Sequence, residues 1–227
     1  MKVSIIIPTL NEAETIERSV RRAWATGPSE VIVVDGESED DTPEIARRGA
    51  SLVLQGERGR AKQQNLGASR AKGDVFLFLH ADNWLDPRAV EQALAALRDS
   101  SVQVGAFWQH VEADGWLYRL LEQGNAYRVA RWGLAYGDQG LFIRRSLFEE
   151  VGGFPELGLM EDLYLLMGLR DRTRPVLLPG PIHVSSRRWK RHGVVGQTAR
   201  NWLLLLAARC GVDPNSLARF YVPHSAP

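Results

Sequence analysis

Apolar, mostly β-branched residues run from Val3 to Ile7, and two more such runs follow at Val31 to Val34 and Val75 to Leu79. Short runs without an alternating polar face predict strands covered on both sides in a parallel sheet. The stretches between them have helical spacing and readable ends. Asn11 is placed to cap a helix with Glu14 at the capping-box position, and Ile16, Val20, Ala23 and Trp24 share one face of it. Thr42-Pro43 starts a second helix that Gly49 ends. After a weaker strand, Leu52 to Leu54, a third helix is predicted from Arg60 to Ala71, closed by Gly73. Strands alternating with helices over the first ~100 residues imply an α/β fold with right-handed crossovers.

The second half is less regular. Val102, Val104, Ala106, Trp108 and His110 alternate like a half-buried strand, and a helix is predicted from Trp116 to Arg131. A short strand at Leu141 to Arg144, a helix at Glu161 to Leu169, a strand at Val176 to Leu178 and an amphipathic helix at Gly196 to Cys210 complete the pattern. No repeat interrupts it. A chain of 227 residues is read as one α/β unit, with a change of role near residue 105.

Charge narrows the partners. The 28 Lys and Arg nearly balance 27 Asp and Glu, which argues against a nucleic-acid partner, although Arg187, Arg188, Lys190 and Arg191 form one dense basic run. The single cysteine, Cys210, excludes an internal disulfide and sits among apolar residues, as a core position would. The first strand begins almost at Met1, leaving no room for a signal peptide, so a cytoplasmic protein is expected. The apolar stretch Trp202 to Ala208 falls well short of the ~20 residues of a membrane span. Packing onto the core is the favoured use of that helix, with a membrane surface as the alternative.

Ligands of open parallel sheets bind beyond the carboxyl ends of the strands, so the residues after each apolar run are the ones that can carry chemistry. After the first strand stands Pro8-Thr9-Leu10-Asn11-Glu12, which is not a glycine-rich phosphate loop and speaks against a dinucleotide enzyme. After the second stands Asp35-Gly36-Glu37-Ser38, where the acid is either set to accept hydrogen bonds from a base or ribose or is part of a solvated turn. After the third come His80-Ala81-Asp82, whose alternating side chains put residues 80 and 82 on one side, as a cation site on a nucleotide diphosphate requires. A helix-capping Asp is the plainer alternative. Glu161 and Asp162 open a predicted helix, either as ordinary first-turn acids or as a base that takes a proton from an attacking hydroxyl.

Taken together, these segments resemble the family-two glycosyltransferases over essentially the whole chain. Ser4 to Glu12 is similar to that family's opening signature and Val33 to Ser38 to its second element. The resemblance implies a GT-A fold with a mainly parallel central sheet, residues 1–105 forming a nucleotide-binding half and 106–227 an acceptor-binding half. It implies that Asp35 contacts the base, that Pro8, Thr9 and Glu12 line the nucleoside pocket, and that the segment Gly59 to Ala68, with Arg60, Gln63 and Asn65, borders the nucleotide. Phe78-Leu79-His80-Ala81-Asp82 occupies the place of the family's D-x-D motif, with His80 in place of the first aspartate. Asp82 is then the ligand for Mg2+ or Mn2+, and His80 touches the ribose or diphosphate.

Gly137-Asp138-Gln139-Gly140, Gly152-Gly153-Phe154 and Met160-Glu161-Asp162 resemble the acceptor-side block, which makes Asp162 the catalytic base and Glu161 its neighbour. Asp138 and Gln139 then contact donor or acceptor. Ser186-Arg187-Arg188-Trp189 resembles a flexible segment that closes over the donor, where arginines can grip phosphate and an indole can cover the sugar. The activity implied is inverting transfer from a nucleotide-diphosphate sugar, with uridine diphosphate as the default, to a sugar, lipid or small-molecule hydroxyl. A nucleotide-sugar-binding protein without activity and a nucleotidyltransferase are the rival readings.

Overall fold

A computed structural model describes residues 1–218, the side chains of residues 188, 191, 192, 209, 215 and 218 excepted. Its strands are β1 (Val3–Thr9), β2 (Glu30–Asp35), β3 (Leu52–Gln55), β4 (Val75–Phe78), β5 (Trp84–Leu85), β6 (Val104–Val111), β7 (Phe142–Arg144) and β8 (Val176–Val184). Its helices are α1 (Ile16–Trp24), α2 (Thr42–Ala46), α3 (Arg60–Arg70), α4 (Ala89–Ala96), α5 (Trp116–Trp132), α6 (Arg145–Glu150), α7 (Glu161–Leu169), α8 (Arg187–His192), α9 (Val194–Arg209) and α10 (Pro214–Ala218). The strands form one sheet in the order β3-β2-β1-β4-β7-β6-β8-β5. The first four neighbours are parallel, β7 runs antiparallel between β4 and β6, and β8 returns parallel to β6.

Period-two alternation in the apolar runs decides how the core divides. Ile6, Ile32 and Val34 face one layer with α3, α5, α6, α7 and α9, where Phe76, Phe78, Phe148 and Phe154 pack together. Ile5, Ile7, Val31 and Val33 face the other, against α1, α2 and α4. A fully buried aliphatic side chain of this kind contributes about 1.5–3 kcal/mol. Gly67 lets α3 lie close on β1, since a Cβ there would come within 2.5 Å of Ile6 Cγ2. The chain register sets Thr9 beside Asp35, so both strands end at the same edge.

Several local expectations change. Asn11 does not cap α1, which is preceded by Thr15. Asn11 takes a left-handed conformation (φ 53°) and its side chain accepts the Glu39 N–H at 2.8 Å, tying the first loop to the second. Trp24 leaves the buried face and donates its indole N–H to Gly49 O at 2.8 Å. Cys210, expected in the core, is exposed just past α9. The strand read as Val176 to Leu178 continues to Val184, through a register irregularity at Gly180-Pro181. Among the described residues no helix is long and apolar enough to cross a membrane.

Candidate active site

The carboxyl edge of the parallel strands gathers the first group. Asp35 is fully buried and accepts two hydrogen bonds from Ser38, from its N–H at 2.9 Å and its hydroxyl at 2.5 Å. Pro8 and Thr9 pair with Val34 and Asp35. Glu12 accepts the Thr15 hydroxyl at 2.6 Å, and burial, assisted by the negative charge of Asp82, pushes its carboxyl above the usual range. Arg187 lies near enough to oppose that rise. Asp82 opens into a depression it shares with Thr15, Arg18, Trp84, Glu112, Ser185, Ser186, Arg187 and Lys190.

A second depression is lined by Arg60, His80, Tyr136, Gly137, Asp138, Met160, Asp162, Asn201 and Leu204. Asp162 sits at the start of α7, where its Oδ1 accepts the Leu163 N–H at 2.7 Å and its Oδ2 accepts the Gly137 N–H. Burial, with Glu161 adding negative charge beside it, pushes the Asp162 carboxyl up to about 7. Arg60, 3.4 Å from the Glu161 carboxylate, and the two backbone donors hold the rise in check. A Cβ at Gly137 would stand 3.1 Å from both Asp162 Oδ2 and His80 Nε2, so the glycine lets these groups approach the turn closely. Asp82 thus lines the first depression and Asp162 the second, and the segment His80 to Asp82 contributes to both.

Other predicted site residues make contacts within the fold. Gln63 is buried and its amide donates to both Thr9 O and Val34 O at 2.8 Å, joining α3 to the ends of β1 and β2. Asn65 donates to Phe154 O at 2.8 Å and accepts the Phe154 N–H at 2.9 Å, so its amide fastens α3 to the Gly152-Gly153 turn. Gln139 is fully buried, and its Oε1 accepts from Arg128 at 2.7 Å and from the Tyr136 N–H at 3.1 Å. Through these bonds it organises the turn. Trp189 is 6% exposed and packs with Val111 and Val184. The side chain of Arg188 lies outside the described residues.

Arg128 is the residue that sequence reasoning missed. It is 2% exposed, and its guanidinium donates to Leu134 O at 2.9 Å, Asn125 Oδ1 at 2.7 Å and Gln139 Oε1 at 2.7 Å, with the Tyr136 ring 3.5 Å away. Burial pulls its pKa down, while Tyr136, Asp138 and Asp162 oppose the change. Within α5 its spacing differs in no way from that of a surface arginine. Asn201 and Leu204, from α9, were likewise invisible as site residues because that helix reads as simply amphipathic.

Residues 4–152 match the model of the Glycosyl transferase family 2. The chain is 32% identical to a dolichol-phosphate mannosyltransferase of Pyrococcus furiosus over 58% of this chain and 41% of that one. It is 31% identical to an uncharacterized protein of Mycobacterium tuberculosis over 87% and 69%, and 26% identical to the glycosyltransferase AglE of Haloferax volcanii over 67% and 56%. The chain thus spans about half the length of the curated relatives it matches first. In fold it resembles a mannosyltransferase from Pyrobaculum calidifontis solved with GDP-Man and Mn2+, with a TM-score of 0.70 at 24% identity over 97% of this chain and 69% of that one.

Proposed function

The chain belongs to the Glycosyl transferase family 2, and from that premise we propose that it moves a sugar from a nucleotide-diphosphate donor, by default a uridine diphosphate sugar, to an acceptor hydroxyl with inversion. The observation that carries the reading is the setting of Asp162: a buried carboxyl poised near neutrality, held by two backbone N–H groups and opening into a depression with His80 and Asp138. A carboxylate tuned to about 7 can take a proton from an attacking hydroxyl at neutral pH without remaining permanently protonated. Such a displacement needs no covalent intermediate, and its product has the opposite anomeric configuration. The relatives' nucleotide-sugar ligand and transferase names support a donor of this class.

Each residue then has a role along the edge. Asp35 and Ser38 face the base or ribose, with Thr9 and Glu12 beside them. Arg187 is placed to meet phosphate oxygens near Asp82. Asp82 and the neighbouring Glu12 carboxyl are hard oxygen donors close enough to feel each other's charge, which fits a magnesium or manganese ion. When bound, that ion supplies charge neutralisation for the departing diphosphate. Asp138 and His80 line the place left for the sugar, and residues 106–227 supply the acceptor side. Leu204 reaches the same depression from α9, whose outer face exposes Val195, Leu203 and Leu206. That continuity, with the dolichol-phosphate relative, favours a lipid-phosphate acceptor as a second reading.

A thermal-shift screen of nucleoside diphosphates and nucleotide sugars, with and without Mn2+, tests the proposal, since a ligand of the folded state raises the melting point. A manganese-dependent rise with UDP or GDP, followed by sugar transfer or donor hydrolysis, is expected. A protein that no nucleotide stabilises and that consumes no donor would sink it.

A further inference from the structure

Beside the depression that holds Asp82, the ends of β6 and β8 bring three ligand-type side chains together. The parallel register pairs His110 with His183 and Val111 with Val184. Val111 and Val184 point inward, onto Trp189. Alternation along the strands therefore sends His110, Glu112 and His183 to the opposite face. There His183 Nδ1 lies 2.6 Å and His110 Nε2 3.9 Å from the same Glu112 Oε1, and one ligand atom from each of the three lies within 4.8 Å of the others. Metal–ligand bonds of the usual length in a tetrahedral site put ligand atoms about 3.4 Å apart, so binding requires the His183–Glu112 contact to open and the widest separation to close by up to about 1.4 Å, through rotation of the side chains.

We propose that His110, Glu112 and His183 form a binding site for a borderline divalent transition-metal ion of the zinc type, separate from the Asp82 cation. Two imidazoles and one carboxylate suit such an ion, whereas magnesium and calcium favour all-oxygen sets. The surroundings orient both rings, as the outer shell of a metal site does. Trp84 stacks on His183 with the ring planes 4° apart and centroids 5.2 Å apart, and the Arg22 guanidinium lies 4.1 Å over the Trp84 ring. Glu122, nearly buried and fixed by the Val111 N–H at 2.7 Å, places its carboxylate 3.5 Å from His110 Nδ1. With Nε2 on a cation, the His110 ring proton resides on Nδ1 and faces Glu122. The contact that Arg119 Nη1 makes with that nitrogen, 2.8 Å, then yields, and Arg119 keeps Glu122 at 3.0 Å as its partner. His110 and Glu112 line an open depression rimmed by Asp114, Arg119 and Lys190. Glu112 also belongs to the wall of the depression that holds Asp82, so a bound ion would fix that wall.

The test is calorimetric titration of Zn2+ into the metal-free full-length protein without nucleotide, with Co2+ absorption spectra on the same preparations. The expected result is one zinc ion whose affinity falls at least tenfold in His183→Ala, His110→Ala and Glu112→Gln and is unchanged in Asp82→Asn, together with Co2+ d–d bands lost in the same three variants. Circular dichroism melts identify any variant that has lost its fold, and Glu112→Gln keeps the shape of the side chain it replaces. Absence of zinc binding by the wild type, binding of equal strength in the three folded variants, or loss confined to Asp82→Asn overturns the site. Each of these outcomes leaves the glycosyl-transfer reading to be decided by its own nucleotide experiment.

Discussion

The backbone N–H of Gly137 donates to the carboxylate of Asp162, joining a turn and a helix start 25 residues apart in the chain. That bond and the Leu163 N–H leave one lone pair on each Asp162 oxygen for an incoming hydroxyl. Burial raises the carboxyl's pKa while the two donors and Arg60 of α3 restrain it, so the group's chemistry is decided by a turn and two helices that meet only in the folded chain.

If Asp162 is the base, it must lose its proton before it can accept one. The turnover rate at saturating donor is expected to rise with pH through about 7 and then level. Asp162→Asn should lower turnover by roughly 10²–10⁴-fold while leaving nucleotide binding intact. A pH-rate profile and a nucleotide titration of both proteins check this; a flat profile through neutrality rules the assignment out.

The same group makes stability depend on pH. Native Asp162 keeps its proton up to about 7, whereas in the unfolded chain it ionises near 4. Between those values the unfolded state binds fewer protons, so stability falls as pH rises from about 4 to about 7 and is level above it. Urea midpoints measured across that window should decline in the wild type and decline less in Asp162→Asn. Parallel curves for the two proteins would count against a raised carboxyl.

Gly137→Ala is expected to strike activity harder than folding. The added Cβ meets Asp162 Oδ2 and His80 Nε2 at 3.1 Å, so the two side chains must give by a few tenths of an ångström and leave their present alignment. Turnover should drop by about tenfold or more, because small misplacements of reacting groups are costly. Unfolding by urea, followed beside the activity assay, should register a smaller change.

Arg128→Met removes the buried guanidinium and leaves Leu134 O and Asn125 Oδ1 without their donor. Unpaired buried acceptors cost about 1–3 kcal/mol each. A loss of roughly 3 kcal/mol in urea-derived stability is therefore expected. Gln139 loses the same donor, so the turn carrying Gly137 and Asp138 should loosen and turnover should fall with it. Unchanged stability would mean that the buried charge contributes nothing net.

For Asn65→Ala, the two hydrogen bonds to Phe154 disappear and the fold should weaken by about 1–2 kcal/mol. Nucleotide affinity should stay within about twofold of wild type, since the amide serves the Gly152-Gly153 turn. A tenfold weaker affinity in a calorimetric titration would return Asn65 to the nucleotide pocket.

Local pattern alone determined strands at Val3 to Ile7, Val31 to Val34 and Val75 to Leu79, which lie within a residue or two of the observed ones, the helices that alternate with them, and hence a parallel sheet whose carboxyl edge holds Asp35 and the His80-Asp82 pair. This was legible because each run's burial is written in its own periodicity: a segment of apolar residues has to be covered wherever it ends up. Tertiary structure alone decided that β7 enters antiparallel between β4 and β6, that Trp189 joins the core, that Asp82 and Asp162 open into different depressions, and that Arg128 braces the Gly137 turn. These facts depend on which distant groups meet. A buried arginine and a surface arginine have the same neighbours in sequence and differ only in what the rest of the chain packs around them.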